Sequence, residues 1–364
     1  MKLSVVQENL QKALSSVTRI VGSRNSLPVL GNVLLKTEAS RLVVSATNLE
    51  VAISCSIGCK VEKDGATSVP ARLFSELVSG LPSDKLQLVA TGDNLKVKTT
   101  NFESSLNGIS ATEFPTTPKV KPEAEFDIAA SELVSKLGEV VIAASVDESR
   151  PVLSGILFKV EGEKLILAAT DSYRLAETSI QMKNPSEISV IVPAKTANEL
   201  NRLIGDVDDD IHIVVGKNEI LFEIGDISMV SRLIEGKFPN YTQIIPTKSA
   251  TTITLSKTEL MSTVKVASLF ARESAHTVKL EFTKTSLQFS ARASEVGENT
   301  SLVEGELKGV EAEISINARY LQDALSVIPT PQVEIAVNDK LDPCLIRPVG
   351  KEENYIHIIM PLRS

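Results

Sequence analysis

Two apolar spacings alternate along the chain. Stripes at i, i+4 and i+7 run through Leu10, Leu14 and Val17, through Leu133, Leu137, Val140 and Val141, and through Leu260, Val264 and Ala267. Each predicts an amphipathic helix with one buried face. A second set at i, i+3 and i+7 comprises Phe74, Leu77 and Leu81, then Ala197, Leu200 and Ile204, then Leu321, Ala324 and Ile328. Gly80 with Pro82, then Gly205, then Pro329 end these helices where breakers belong. Ser256 and Glu259 have the spacing of a capping box, which marks the start of the fifth helix. Between the two helices of each pair lie alternating segments, such as residues 164–169 and 287–291, that predict antiparallel strands.

The order helix, strands, helix occurs three times, and the sequence repeats with it. Pro28-Val29-Leu30-Gly31-Asn32 and Ser45-Ala46-Thr47-Asn48-Leu49 return as Pro151-Val152-Leu153-Ser154-Gly155 and Ala168-Ala169-Thr170-Asp171-Ser172, both 123 residues on. The same offset joins Val69-Pro70-Ala71-Arg72 to Val192-Pro193-Ala194-Lys195, and a further 124 reaches Ile316-Asn317-Ala318-Arg319. A period of this size is a whole domain and too long for a solenoid repeat. Proline-containing polar stretches after Phe114 and after Pro239 place the boundaries. The reading is α+β: three tandem two-helix, antiparallel-sheet domains over residues 1–122, 123–249 and 250–364.

Composition narrows the function. Ten Phe, four Tyr and no Trp supply few platforms for stacked bases, which argues against a single-strand binder. A net charge of −8 excludes a strongly basic DNA-binding protein but leaves room for one basic face. No apolar run is long enough to span a bilayer, and no signal-peptide core follows Met1. With three Cys, a reducing cytoplasm is the expected compartment. Cys55 and Cys59 sit in an alternating strand pattern, about 13 Å apart along the strand, too far to share a metal or a disulfide. His212, His276 and His357 show no ligand spacing. The Asp206-Val207-Asp208-Asp209-Asp210 run has Ile211 and Lys217 where a calcium loop needs Gly and Glu, so it reads as a solvated turn. Phosphate-loop, dinucleotide and nucleophile-elbow motifs are absent, and no cofactor is expected. An enzyme in an interdomain cleft would need a convergent acid/base or metal cluster, and none is visible.

Charge placement adds one positive feature. Lys12 and Arg202 lie opposite the apolar stripes of their helices, and Lys195 is a further candidate on its helix. The six helical segments together carry +3, which leaves −11 on the rest of the chain. A mildly basic helical face on an acidic body suits phosphate contact without base reading. A repeat-built scaffold that binds only proteins is the alternative.

With the repeats aligned, the chain resembles the bacterial sliding clamps, the beta subunits of DNA polymerase III, over all three domains. The resemblance rests on Ser26-Leu27-Pro28-Val29-Leu30-Gly31-Asn32, Arg150-Pro151-Val152-Leu153-Ser154-Gly155, Ala169-Thr170-Asp171-Ser172-Tyr173-Arg174-Leu175, Gly236-Lys237-Phe238-Pro239-Asn240-Tyr241 and Met360-Pro361-Leu362-Arg363. It implies a non-catalytic processivity factor: a head-to-tail homodimeric ring with helices inside and sheets outside, encircling duplex DNA without regard to sequence. Twelve helices about 10 Å wide would line a hole of roughly 28 Å, enough for a duplex roughly 20 Å across.

The resemblance also implies sites. Arg24 and Arg72 stand where family members touch DNA, beside Lys12, Lys195 and Arg202 from the helix faces. A peptide pocket for the replicative polymerase, the clamp loader and other proteins with a clamp-binding motif would use Leu153, Thr170, Ser172, Tyr173, Arg174, Leu175, Pro239, Ile244, Pro343, Met360, Pro361, Leu362 and Arg363. Apolar walls with a few orienting polar groups suit such a role. At the ring seam, Leu269 and Phe270 match an apolar contact, and Lys96 and Lys98 are expected to face Glu295, Glu298 and Glu304.

Overall fold

The computed structural model describes residues 1–22, 27–183, 186–205, 209–293, 297–350 and 354–362. The first repeat runs β1 Lys2–Val6, α1 Gln7–Val17, β2 Asn32–Glu38, β3 Arg41–Thr47, β4 Val51–Gly58, β5 Lys60–Lys63, β6 Ala66–Pro70, α2 Ala71–Gly80, β7 Lys85–Thr91, β8 Asn94–Lys98 and β9 Glu103–Asn107. The second runs β10 Ala124–Ala129, α3 Ala130–Val141, β11 Gly155–Glu161, β12 Lys164–Thr170, β13 Arg174–Gln181, β14 Ser189–Pro193, α4 Ala194–Ile204, β15 Asp210–Val215, β16 Glu219–Ile224 and β17 Ile227–Arg232. The third runs β18 Thr251–Ser256, α5 Lys257–Phe270, β19 Thr277–Phe282, β20 Ser286–Ala293, β21 Gly297–Gly309, β22 Ala312–Asn317, α6 Ala318–Val327, β23 Gln332–Val337, β24 Cys344–Pro348 and β25 Ile356–Ile359. Apart from the extra β5, the three orders are the same.

Packing divides the chain differently from the repeats. One compact unit holds residues 1–131 with 202–233, the other residues 132–201 with 234–364. The cut passes through the second repeat because its two halves pair with different neighbours.

In the first unit, β5-β1-β7-β8-β9 form one sheet and β10-β15-β16-β17-β4-β3-β2-β6 another. The larger sheet crosses from second to first repeat at an antiparallel junction of β17 with β4, from Ile227↔Cys55 to Ser231↔Val51. In the second unit, one twelve-stranded sheet runs β14-β11-β12-β13-β25-β24-β23-β18-β21-β20-β19-β22. It crosses from second to third repeat at β13 with β25, from Arg174↔Ile359 to Glu177↔Ile356. Fusing repeats by backbone ladders leaves no polar edge to satisfy at either junction.

Each repeat is closed by the same backbone bond after its last strand. Ile109 N donates to Ser68 O at 3.1 Å, Ile234 N to Ile191 O at 2.9 Å and Leu362 N to Ser315 O at 2.8 Å. Beside the first of these, a Cβ on Gly108 would lie 2.0 Å from Ser68 O, so only glycine allows the approach.

The cores form where the periodicity places them. Leu10, Leu14 and Val17 on α1, Leu133, Leu137 and Val140 on α3, and Leu260, Val264 and Ala267 on α5 are all fully buried. The α4 and α6 stripes are buried too. On α2 the buried residues are Ala71, Phe74 and Val78; Leu77 and Leu81 are half-buried. Four residues from Phe74, Val78 lies nearer the same face than Leu77 does, and Leu81 falls beyond the helix end. The Ser256 side chain accepts from Glu259 N and caps α5 as expected.

Candidate functional site

The first candidate site grows from a turn that the repeats share. Thr170 Oγ1 accepts from Ser172 N at 3.2 Å and donates to Arg174 O at 2.6 Å. Asp171 Oδ1 accepts from Tyr173 N at 2.9 Å and Arg174 N at 3.0 Å. In the first repeat, Thr47 Oγ1 accepts from Leu49 N and donates to Val51 O, both at 3.0 Å. Asn48 Oδ1 accepts there from Glu50 N at 3.0 Å and Val51 N at 2.8 Å. These side-chain bonds hold Leu49 at φ 74° and Ser172 at φ 78°, a left-handed conformation that costs a side chain about 1–2 kcal/mol without such support.

What differs is the chemistry around the turn. At the second junction Leu175, Phe238, Tyr241, Leu345 and Ile358 form a buried cluster, with Val152, Ile244 and Met360 packed against it. Phe238 and Tyr241 meet edge to face at 6.0 Å. Tyr173, in the turn before Leu175, leaves 60% of its surface exposed. Pro239 is exposed, whereas Leu153 is buried in the turn at Pro151–Ser154. Leu175 is fully buried, part of the floor under the surface rather than an open wall. Burial pushes the Glu177 carboxyl up, and burial with the bond to Glu177 holds the Tyr241 phenol far above its ordinary range.

Arg174 plays a mainly structural part. Its Nε lies 3.0 Å from Asp171 Oδ2 and its Nη1 2.5 Å from Asp323 Oδ2, with its guanidinium 4.5 Å over the Tyr320 ring. The first bond braces the turn internally, and the second ties it to α6. Ser172 accepts a long bond from Arg150 Nη1 at 3.4 Å. Pro343, Pro361 and Leu362 are half-buried, and Arg363 lies outside the described residues. Asp171, Glu177, Phe238, Tyr241, Tyr320 and Asp323 belong to this neighbourhood although periodicity does not single them out. Asp171 lies in the repeated segment and Phe238 and Tyr241 in one that carries the resemblance, whereas Glu177, Tyr320 and Asp323 have no such signal.

The helix-borne cations are exposed: Lys12 on α1, Arg72 on α2, Lys195 and Arg202 on α4. Lys195 pairs with Glu148 at 2.7 Å. Arg24 lies outside the described residues, as do Asp206 and Asp208 of the acidic run. Leu269 on α5 is 55% exposed and its neighbour Phe270 half-buried. Lys96, Glu298 and Glu304 are exposed, Glu295 lies outside the described residues, and Lys98 is engaged within the chain by Glu103 at 2.9 Å. Among the described residues no group of three or more His, Cys, Asp or Glu is placed to hold a metal ion. His212 bonds Asp127 at 2.8 Å, and Cys55, Cys59 and Cys344 are free thiols.

Three α+β repeats joined edge to edge define a clamp-type fold. Models of the N-terminal, central and C-terminal domains of the DNA polymerase III beta subunit match residues 1–118, 127–240 and 242–363. The beta sliding clamp of Synechococcus elongatus is 32% identical over 375 aligned positions, covering 100% of this chain and 99% of that protein. The solved beta subunit of Pseudomonas aeruginosa DNA polymerase III superposes with a TM-score of 0.96 at 30% identity, with both chains covered in full. The Bacillus subtilis sliding clamp gives 0.96 at 28% identity, covering 100% of this chain and 99% of that one. The chain belongs to the DNA polymerase III beta-subunit family, the sliding clamps of DNA replication. A scaffold that binds only proteins is not favoured.

Proposed function

We propose that two copies of this chain close head to tail into a ring around duplex DNA and tether a replicative polymerase to it, without catalysis of their own. The supporting observation is a pair of matching open edges. At the internal junctions, β4 and β13 each take the last strand of the following repeat, β17 and β25. The third-repeat counterpart, β21, pairs with β20 along Gly297–Glu304 and with β18 only from Gly305 onward. The first-repeat counterpart of the last strand, β9, pairs among the described residues with β8 alone. Each open edge is a template for the other. Leu302, Phe102 and Leu269, exposed by 60%, 53% and 55%, are apolar surface of the kind a subunit contact covers.

The second-junction surface is the docking place for short peptides of the polymerase, the loader and other partners: Tyr173, Met360, Ile244 and Pro239 offer apolar contact and Ser172 a polar rim, with Arg174 holding the turn in place beneath them. The exposed cations of α1, α2 and α4 meet phosphates loosely, so that the ring slides. The cytoplasm suits three free thiols, of which burial pushes Cys55 up to about 11 and Cys344 to about 12, leaving both unreactive. No described helix is long and apolar enough to cross a membrane.

The test is to load the protein on nicked circular DNA with a clamp loader and ATP, and then to linearise the circle. Retention on the circle in salt and loss on linearisation is the expected result. Salt-resistant persistence on linear DNA would sink the ring.

A further inference from the structure

The two internal junctions are built alike but filled differently. At the second, the residue just before β25 is Tyr355, 1% exposed, with its hydroxyl 2.9 Å from His357 Nδ1. Glu139 on α3 and Asp323 on α6 are among the charges that act on its phenol. One residue of register places it opposite Thr178, because Glu177 pairs with Ile356.

The first junction has the same register one repeat earlier. Ile227 pairs with Cys55 there, and Cys55 lies 123 residues before Thr178. Ile227 therefore holds the place of Tyr355. Its surroundings differ as well: the smaller Ser16 on α1 stands at the Glu139 position, and Met229, which offers no ring nitrogen to a hydroxyl, at the His357 position. The side chains that fill the second junction are missing from the first, and a cavity of about 400 Å³ remains. Its apolar lining includes Ala13, Leu203, Ile224 and Ile227, and its polar lining includes Lys12, Ser16 and Asp209. That volume lies within the range of small-molecule sites, as does an apolar lining with a few convergent polar groups.

We propose that this cavity is a binding site for a small neutral aromatic molecule with one hydroxyl group, its ring seated against Ile227 as the Tyr355 ring is seated in the sibling junction. The ring covers Ala13, Leu203 and Ile224. The hydroxyl turns to the rim, where Ser16 and Asp209 accept and Lys12 donates. Burying a phenyl ring against these side chains supplies the affinity, and the rim orients it. The site lies wholly within the first unit and does not depend on the ring reading.

The probe is p-cresol, the side chain of tyrosine as a free molecule, titrated into the full chain and followed by saturation-transfer NMR and calorimetry. Saturable binding is expected, with toluene binding several-fold more weakly for want of the hydroxyl. Ile227→Tyr carries its own phenol into the space and weakens p-cresol at least about tenfold, which is about 1.4 kcal/mol. Leu203→Trp fills the cavity from α4 and gives a comparable loss, so a folding defect in one variant does not decide the matter. Ile227→Ala keeps binding. No saturable binding to the native chain, or affinity within twofold of native in both filled variants, overturns the proposal.

Discussion

The backbone amide of Met360 donates to the carbonyl of Tyr173 at 2.8 Å, continuing the β13–β25 ladder one residue beyond the last strand. The terminal segment is thereby locked beside the shared turn, and the Met360 side chain packs on the cluster of Leu175, Phe238 and Tyr241. The first junction makes the same bond, Arg232 N to Glu50 O at 2.9 Å. One scaffold thus carries a thioether and a phenol at one junction, a guanidinium and a carboxylate at the other. Only the first pair suits an apolar peptide anchor.

Met360→Ala and Tyr173→Ala should each weaken a fluorescent peptide carrying a polymerase clamp-binding motif by about tenfold, the effect of truncating an anchor residue. Glu50→Ala and Arg232→Ala should change it less than about twofold. Fluorescence polarisation separates the cases. Equal losses at both junctions would remove the distinction between them.

Arg174 should matter more to stability than to the peptide. Its side chain is 12% exposed, and Asp171 beside it only 14%. Arg174→Ala leaves that carboxylate without its partner and uncovers Tyr320. The expected loss is about 2–3 kcal/mol, below the full cost of breaking a buried pair because Asp323 is 46% exposed. Arg174→Lys should recover less than half, since one ammonium cannot hold both carboxylates and stack on a ring. Urea unfolding measures both.

Arg174 also marks the limit of what the chain reveals before it folds. The buried faces of α1, α3 and α5 follow from spacing alone, because a helix face is a local property. The α2 stripe falls one residue from its expected place, since Leu77 and Val78 both suit the pattern and only the packed neighbours choose. The 123-residue offset joins Thr47 to Thr170 and so exposes the duplicated turn. It cannot say which junction is apolar. That depends on Met360 and Arg232 arriving from other repeats. Asp323 lies 149 residues from Arg174, and no periodicity links them. Glu103 takes Lys98 because a hairpin sets them side by side, a pairing that the expected seam leaves out.

His357 gives the fold an acid limit. It is fully buried between β13 and β24, and burial first, then the Arg174 charge, push its pKa down from 6.5 to about 3. The unfolded chain therefore binds a proton that the folded chain refuses between about pH 6.5 and 3. Stability from this group is complete above that window and is lost as pH falls through it, by about 1.4 kcal/mol per pH unit. His357→Gln, which does not titrate, should flatten the slope of unfolding free energy between pH 6.5 and 4.5. An unchanged slope would mean that other groups set it.

The helix cations should act on DNA through charge alone. Lys12→Glu combined with Arg72→Glu should shorten the time a loaded clamp stays on circular DNA. It should also flatten the dependence of retention on salt, by about 0.9 in the logarithmic slope for each phosphate no longer neutralised. Glu148→Gln should act the other way, because the carboxylate 2.7 Å from Lys195 is an anion where a phosphate would come. Retention on a circle at several salt concentrations reads both variants.

The proposed seam would use the open edges of β9 and β21 and the apolar end of α5. Leu269 is mostly exposed, so Leu269→Ala removes apolar surface that a second copy would cover, at little cost to the single chain. Phe270 is half-buried, and its truncation costs some internal packing as well. The double variant Leu269→Ala/Phe270→Ala should sediment as a monomer at micromolar concentration and still melt cooperatively. Ser105→Pro in the middle of β9 attacks the same seam from the other side by removing a ladder donor. It should give monomers with both α5 residues intact. Analytical ultracentrifugation distinguishes the species. A dimer that survives both substitutions would show that β9 and α5 are not where the copies meet.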